Sequence, residues 1–451
     1  MPSALQQNRE LAKTEGKMKA ITTLIIISTI IAAGVSFTLL QGVLSVNAQQ
    51  AWREIQITTT PRDEGRPDIA ILDNGDIAIA YESEHRGNFR QAHAQIRGPD
   101  GSSIVAPNTR VSFNVQDVWG SEIVGFPSVV GLPDTILHLW VEDADQDPLH
   151  QEVHGETIYG RNAPPSSRPG GEANHRHLIQ NGLAKWPTAA VDSQTGIGYI
   201  IWQDRTGDAL THLWGMKINR NLEPISPPIR LTGSPLVEEN PAVAIGPDGI
   251  LHVVFESDTE SNPIKLANKV YYARFTPNFD LIDKQRVPIT GQPEAGYAKV
   301  AVDEQNTVHI VAWAFGSIKE VPTPPAGYNK IGYVRYNGGR LVRGPVVVDS
   351  PQFDVDIKFY PNIATDRQGN AHITWNALKG NGLRNYGVDY AKISPSGSFQ
   401  IESVTTPPNP PPMNFAGRPS IAVGNNIVYI VYQQQTSHTD NSEIMMRMRP
   451  L

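Results

Sequence analysis

The chain has no cysteine in 451 residues, so disulfides, thiol nucleophiles and thiolate metal sites are all excluded. Any metal centre has to be built from histidine and carboxylate. Charge is scarce as well: Lys, Arg, Asp and Glu make up 18% of the chain and the formal net charge is −7, which gives nucleic acid or an anionic membrane surface no electrostatic attraction. Apolar runs long enough to cross a bilayer are missing, with one exception. Residues 20–40 hold no charged side chain and follow Arg9, Lys13, Lys17 and Lys19, a flank that predicts a cytoplasmic N-terminus and an extracytoplasmic remainder. We expect a cytoplasmic tail over 1–19, a transmembrane anchor or signal peptide over 20–42 and a linker over 43–50, with the membrane met through this N-terminal segment alone. Val46-Asn47-Ala48 has the small residues of a signal-peptidase site and Met18-Lys19 offers an alternative start, but the length of the apolar core favours an uncleaved anchor.

What the chain has in quantity is repetition. Seven times an apolar run passes through a short Asp/Asn/Gly turn into a second apolar run that closes on an aromatic: 67–81, 127–140, 187–202, 241–255, 298–313, 361–375 and 419–432. From Pro67 to Pro419 is 352 residues in six steps, a period of about 59, which marks one supersecondary unit copied around an axis or along a line. The first run, as in Ile69-Ala70-Ile71 or Val243-Ala244-Ile245, suits a strand covered on both faces. The second is β-branched and aromatic, and turns such as Asp73-Asn74-Gly75 and Pro247-Asp248-Gly249 join the two antiparallel. A second hairpin signal follows at Gly98-Pro99-Asp100-Gly101 and at Tyr336-Asn337-Gly338-Gly339, so each copy has four strands.

A four-stranded sheet cannot cover both of its faces alone, whereas radial stacking of blades covers them and leaves only short edges. The expected fold is therefore all-β: a seven-bladed β-propeller of four-stranded antiparallel blades over 51–451. The ends point to closure. The seventh copy stops after its third strand, at 443–448, and an orphan strand at 52–58 precedes the first copy; pairing the two would complete the last blade and hide an edge. Tandem immunoglobulin-like sandwiches need about 100 residues per unit, more than this period allows.

In such a ring, residues just before each innermost strand and just after each second strand converge on one mouth of the channel. The first set reads Arg66, Phe126, Trp186, Asn240, Tyr297, Tyr360 and Arg418; the second reads Glu82, Glu142, Asp204, Glu256, Asn376 and Gln433. A sugar needs a flat apolar face to stack on and planar polar groups for its hydroxyls or carboxylate, so Arg66, Glu82, Trp186, Asp204, Glu256, Tyr297, Tyr360 and Arg418 form the expected ligand-binding set. The bland alternative is that these aromatics plug the channel. The partner expected is a glycan, or, if the propeller is a non-enzymatic scaffold presenting a broad face, an envelope protein.

Arg66-Pro67, Asp73-Asn74-Gly75 and Ile79-Ala80-Tyr81-Glu82 together resemble the opening of the sialidase-superfamily propellers, in which an Arg beside a Pro begins the first inner strand and a Gly turn leads to an Ala-aromatic-Ala-Glu strand. The resemblance spans 52–451 as a fold pattern and implies glycan binding or a sialidase-like glycosidase. It departs in blade number, sialidases having six, and in the absence of Ser-x-Asp-x-Gly-x-x-Trp boxes. Of the three arginines with which that family holds a substrate carboxylate, Arg66 matches by motif and Arg418 by repeat equivalence; no nucleophile or acid is assigned. Glu82 and Glu256 are the carboxylates available for glycoside hydrolysis, which demands a defined separation. A polysaccharide lyase would instead need a His or Tyr base and a cation. His252, His309 and His372 recur at one position of the second strand, with Tyr199 and Tyr429 in the same register, and recurrence marks packing because a catalytic base is needed once.

The second copy breaks the pattern. Asp143, Asp145 and Asp147 have the alternate spacing of a calcium loop, although Pro148 stands at the sixth position and no Glu at the twelfth. His150 and His154, and His175 and His177, are spaced to offer two imidazoles on one side of a helix or strand, as zinc or copper requires.

Overall fold

The computed structural model describes residues 51–451 apart from 86–88, 105–108, 111, 113–117, 130–133, 144–150, 160–174, 181–182, 208, 258–268, 290–293, 316–329, 349–357, 379–385, 406–414 and 436–440. The expectations for 1–19, 20–42 and 43–50 lie outside the described residues, among which no helix is long and apolar enough to cross a membrane. After a short strand β1 (Arg53–Gln56) the chain builds blades in order. Blade 1 is β2 (Glu64–Ile71), β3 (Ile77–His85), β4 (Phe89–Arg97) and β5 (Thr109–Arg110); blade 2 is β6 (Val118–Gly125), β7 (Thr135–Asp143), β8 (Gln151–Tyr159) and β9 (His175–Ile179). Blade 3 is β10 (Lys185–Val191), β11 (Gly198–Asp204), β12 (His212–Ile218) and β13 (Ile229–Arg230); blade 4 is β14 (Glu238–Ile245), β15 (Leu251–Ser257), β16 (Lys269–Phe275) and β17 (Leu281–Arg286). Blade 5 is β18 (Glu294–Val302), β19 (Thr307–Phe315), β20 (Lys330–Asn337) and β21 (Arg340–Val348); blade 6 is β22 (Lys358–Thr365), β23 (Ala371–Leu378), β24 (Tyr386–Ile393) and β25 (Phe399–Ser403). Blade 7 is β26 (Phe415–Gly424), β27 (Ile427–Gln435) and β28 (Glu443–Pro450), and its fourth strand is β1.

The closure read from the two ends is present. β1 runs antiparallel to β28 with Arg53 opposite Met448 and Gln56 opposite Met445. Arg447 donates to Glu54, Tyr432 Oη donates to the same carboxylate at 3.1 Å, and the Arg449 guanidinium lies 4.5 Å from the Trp52 ring. Each pair of neighbouring blades shares its own apolar core, and there are seven such cores. One of them joins Ile69, Ile79 and Tyr81 of blade 1 to Tyr429, Val431 and Met446 of blade 7, so the ring is closed by packing as well as by hydrogen bonds. This is why the second strands read apolar on both faces: β11 and β15 are buried along their whole length, each between two cores. At the turn end, the hairpins lace blade to blade: Gln194 Nε2 donates to Pro247 O at 2.6 Å and the Ser128 amide to Asp73 Oδ2 at 2.7 Å.

The second copy differs from its expected register. Its inner strand is Val118–Gly125, and Pro127 lies beyond that strand's end. Phe126 is buried in the core between blades 2 and 3 rather than at the channel mouth. The inner strand of this blade carries no proline, so the only Pro preceding an apolar run stood six residues too late.

Candidate functional site

Every inner strand is interrupted once, and at the same place. The ladder between first and second strands skips at 65–68, 119–122, 185–188, 239–242, 296–299, 359–362 and 417–420. At each skip one residue turns left-handed: Arg66 at φ 49°, Trp186 at 48°, Asn240 at 50°, Tyr297 at 49°, Tyr360 at 52° and Arg418 at 50°, with Gly120 at 70° in blade 2. A bulge re-aims the side chain that it carries. The proline that follows in five blades is tolerated because the ladder is broken there and its missing N–H costs nothing. For non-glycine residues the left-handed conformation costs about 1 kcal/mol each, so six such residues in one ring is strain of the kind that gathers at functional sites.

The bulges are clamped from the preceding blade. The Gly120 amide donates to Glu82 Oε1 at 2.9 Å, that of Asn240 to Gln203 Oε1 at 2.7 Å, that of Tyr297 to Glu256 Oε1 at 2.7 Å and that of Arg418 to Asn376 Oδ1 at 2.6 Å. Each acceptor stands immediately after the buried aromatic of a second strand. Gly296 leaves room for its acceptor, since a Cβ there would come within 2.9 Å of the Glu256 carboxylate. Glu82 and Glu256 are thus buried acceptors of backbone amides, a holding duty. Asp204 falls one residue past the ring position, which Gln203 takes. Its side chain turns back to accept from Trp202 Nε1 at 3.2 Å and from Thr206 Oγ1 at 2.6 Å. Glu142 is displaced likewise and accepts from Trp140 Nε1 at 3.3 Å.

Three guanidinium groups surround Glu82. Arg66 Nη1 is 3.4 Å and Arg90 Nη1 3.3 Å from its carboxylate, and Arg418 is close enough to act on its charge. Burial raises the Glu82 pKa, and the three arginines oppose it. The Arg418 pKa is lowered by burial and then by Arg66, the mark of two cations held together. Arg90 also faces Asp63 at 3.7 Å, so the three cations share at least two carboxylates among the described residues. Beside them lies an aromatic cluster. Arg418 sits 5.6 Å over the Tyr360 ring, Tyr360 meets Tyr297 edge-on at 5.1 Å, and Trp313 lies 5.7 Å from Tyr297. Trp186 and Tyr297 are 41% and 39% exposed, enough for a ligand to reach their rings. The Tyr297 phenol is pushed up to about 12 by burial and by Tyr360, which leaves it protonated at neutral pH. One step down the channel a polar belt begins: Ser420 Oγ donates to Asp68 at 2.7 Å, Asn362 Nδ2 to Ser420 at 3.0 Å and Thr188 Oγ1 to Glu122 at 2.6 Å.

The recurrent histidines lie inside the blades. His252, His309 and His372 place Nδ1 at 2.6 to 2.7 Å from the hydroxyls of Tyr272, Tyr333 and Tyr390. His309 and His372 also reach Asp303 and Asp366 of their turns at 3.1 Å. In blade 2, Asp145, Asp147 and His150 lie outside the described residues; Asp143 and His175 are described by backbone alone, opposite Gln151 and Glu156. His177 faces His154 and Glu152.

Sequence reasoning missed Arg90, Gln203 and Trp313. Taking the residue after each closing aromatic as the ring position would have found Gln203. Trp313 stands one residue late, with Ala312 in the aromatic's slot, and strand alternation turns it to the other face. Arg90 is reached only across the β3–β4 hairpin, through the pairing of Glu84 with Arg90.

No family model and no curated protein matches this chain. Solved structures do. A family PL25 ulvan lyase bound to a GlcA(1-4)Rha3S saccharide aligns at TM-score 0.53 and 13% identity over 87% of this chain and 95% of that one. The polysaccharide lyase Uly1 aligns at 0.50 and 11% over 86% and 90%. The likeness is one of fold. A Hadza microbial sialidase also matches, at TM-score 0.46 and 9% identity over 88% of this chain and 95% of that one.

Proposed function

We propose that the channel mouth binds an acidic saccharide, its carboxylate held by Arg66 and Arg418 with Arg90 behind them, and its rings stacked on Trp186, Tyr297 and Trp313. The observation that carries this reading is the convergence on one ring of Arg66 and Arg418 with Trp186, Tyr297 and Tyr360, all on its left-handed bulges, with Arg90 and Trp313 beside them. The fold neighbours add support, since one of them holds a saccharide that contains GlcA. We read residues 20–42 as an anchor or signal peptide, which would put the propeller outside the cytoplasm, where such polymers are met. Binding without turnover is the reading we favour, because the buried Glu82 and Glu256 are committed to backbone amides and Tyr297 keeps its proton.

Titration with uronate-bearing and neutral polysaccharides, run beside reducing-end and unsaturated-product assays, tests it. Uronates should bind and neutral glycans should not. Arg418→Ala should weaken uronate binding by roughly tenfold to a hundredfold, as expected for a charged hydrogen bond. Equal binding of both classes, or an unaffected variant, overturns the reading. Envelope-protein docking remains a second reading because Leu281, Ile282, Leu341 and Val342 are exposed on the outer strands of neighbouring blades 4 and 5.

A further inference from the structure

On the outer half of blade 2 two strands bring three metal-ligating side chains to one face. Glu152 and His154 are two residues apart on β8 and so project from the same side. His177 of β9 is the direct cross-strand partner of His154, with ring centroids 4.4 Å apart. Glu152 Oε2 lies 3.2 Å from Nε2 of His154 and 3.1 Å from Nδ1 of His177, and one donor atom from each of the three falls within 4.8 Å of the others. A tetrahedral zinc with ligands at ~2.0–2.1 Å separates them by about 3.4 Å. Two edges of the donor triangle therefore already have nearly the length that one bound ion would impose.

We propose that Glu152, His154 and His177 form a zinc site, independent of the channel mouth. The donor set is chemically apt: with no cysteine in the chain, two imidazoles and one carboxylate are a combination that holds zinc, and three protein ligands leave a fourth position open to water or a ligand. The surroundings are built for it. His154 is wholly buried, and its other ring nitrogen faces the buried Glu142 carboxylate at 3.6 Å. Glu142 is itself held by Trp140 Nε1 at 3.3 Å. That 3.6 Å separation is just beyond a hydrogen bond, and a small closure on metal binding would let the carboxylate fix the histidine's tautomer and strengthen it as a donor. His177, 43% exposed, opens the site to solvent on the other side, so an ion can enter without the blade unfolding. Spacing alone joins His177 to His175; the proposed site takes His177 with a histidine and a carboxylate of the neighbouring strand.

The full chain, stripped with a chelator and titrated with zinc, decides the matter. One zinc per chain is expected, and zinc should raise the melting temperature. His177→Ala and Glu152→Gln should each weaken binding at least tenfold and abolish the thermal shift. Both positions are on the outer strands and the circular dichroism of both variants should match that of the parent. Cobalt(II) in place of zinc should give the visible spectrum of a four-coordinate centre. A parent chain that binds no zinc, or variants that bind it as the parent does, would overturn the proposal and leave two histidines sharing one carboxylate oxygen by hydrogen bonds.

Discussion

Glu82 is pulled in opposite directions by its surroundings, burial favouring the protonated acid and three guanidinium groups favouring the carboxylate. Replacing it with glutamine keeps an acceptor for the Gly120 amide and deletes the charge that partly neutralises Arg66, Arg90 and Arg418. Because the net shift of Glu82 is upward, Glu82→Gln should cost no stability at pH 8 in denaturant titrations, while uronate affinity rises. At the ring seam, Glu64 is pushed up to about 7, first by burial and also by Glu443. Its folded value lies above the ordinary 4.5, so its contribution to stability is complete below pH 4.5 and is lost as pH rises through 7. Glu64→Gln should raise the melting temperature relative to the parent at pH 8 and change it least at pH 5. The buried histidines carry the opposite sign. His252 is pushed down to about 4 and His138 to about 3, both by burial. Stability linked to them is complete above pH 6.5 and falls as pH drops toward 4, and His252→Gln should flatten that acid limb in thermal scans at stepped pH.

At the scale of elements, the bulge is the unit that makes the mouth. A left-handed position tolerates glycine better than alanine, the reverse of an ordinary strand position. Tyr360→Gly should therefore be more stable than Tyr360→Ala by about 1 kcal/mol in chemical denaturation, although both lose the same ring. The opposite order would show that the bulge does not hold this geometry in solution. These positions were legible beforehand because the residue before the head of an apolar run, a head that is Pro in six copies and Ala in the fifth, recurs with the period, and six of the seven found that way are the left-handed residues. Blade 2 was illegible for a physical reason: its bulge residue is Gly120, which carries no side chain to read, and the space above it is taken by the Trp186 ring at 3.6 Å from where a Cβ would stand. The closing strand is the second element with a measurable share. Trp52 packs edge-on to Tyr390 at 5.4 Å and under Arg449, so Trp52→Ala should cost about 2 kcal/mol, from lost packing and the lost cation–π contact.

The whole ring links these scales, because Arg66 and Arg418 come from the first and last blades and meet only when the ring closes, a closure that the β1–β28 pairing completes. A chain lacking 52–58 should lose uronate binding more steeply than it loses helix-free β content in circular dichroism, and should self-associate through the bared edge of β28 in light scattering. Retention of full affinity would detach the site from the closure. The repeat period, the four strands in most copies, the missing last strand and the orphan first one were all determined by sequence, since each rests on local patterning of apolar residues and turns that every copy restates. Tertiary structure alone decided which polar groups share a place. Arg90 joins Arg66 and Arg418 across a hairpin and a seam, Gln203 displaces Asp204 by strand alternation, and His177 meets His154 and Glu152 across two strands. Such meetings depend on register and closure, which no single copy of the repeat encodes.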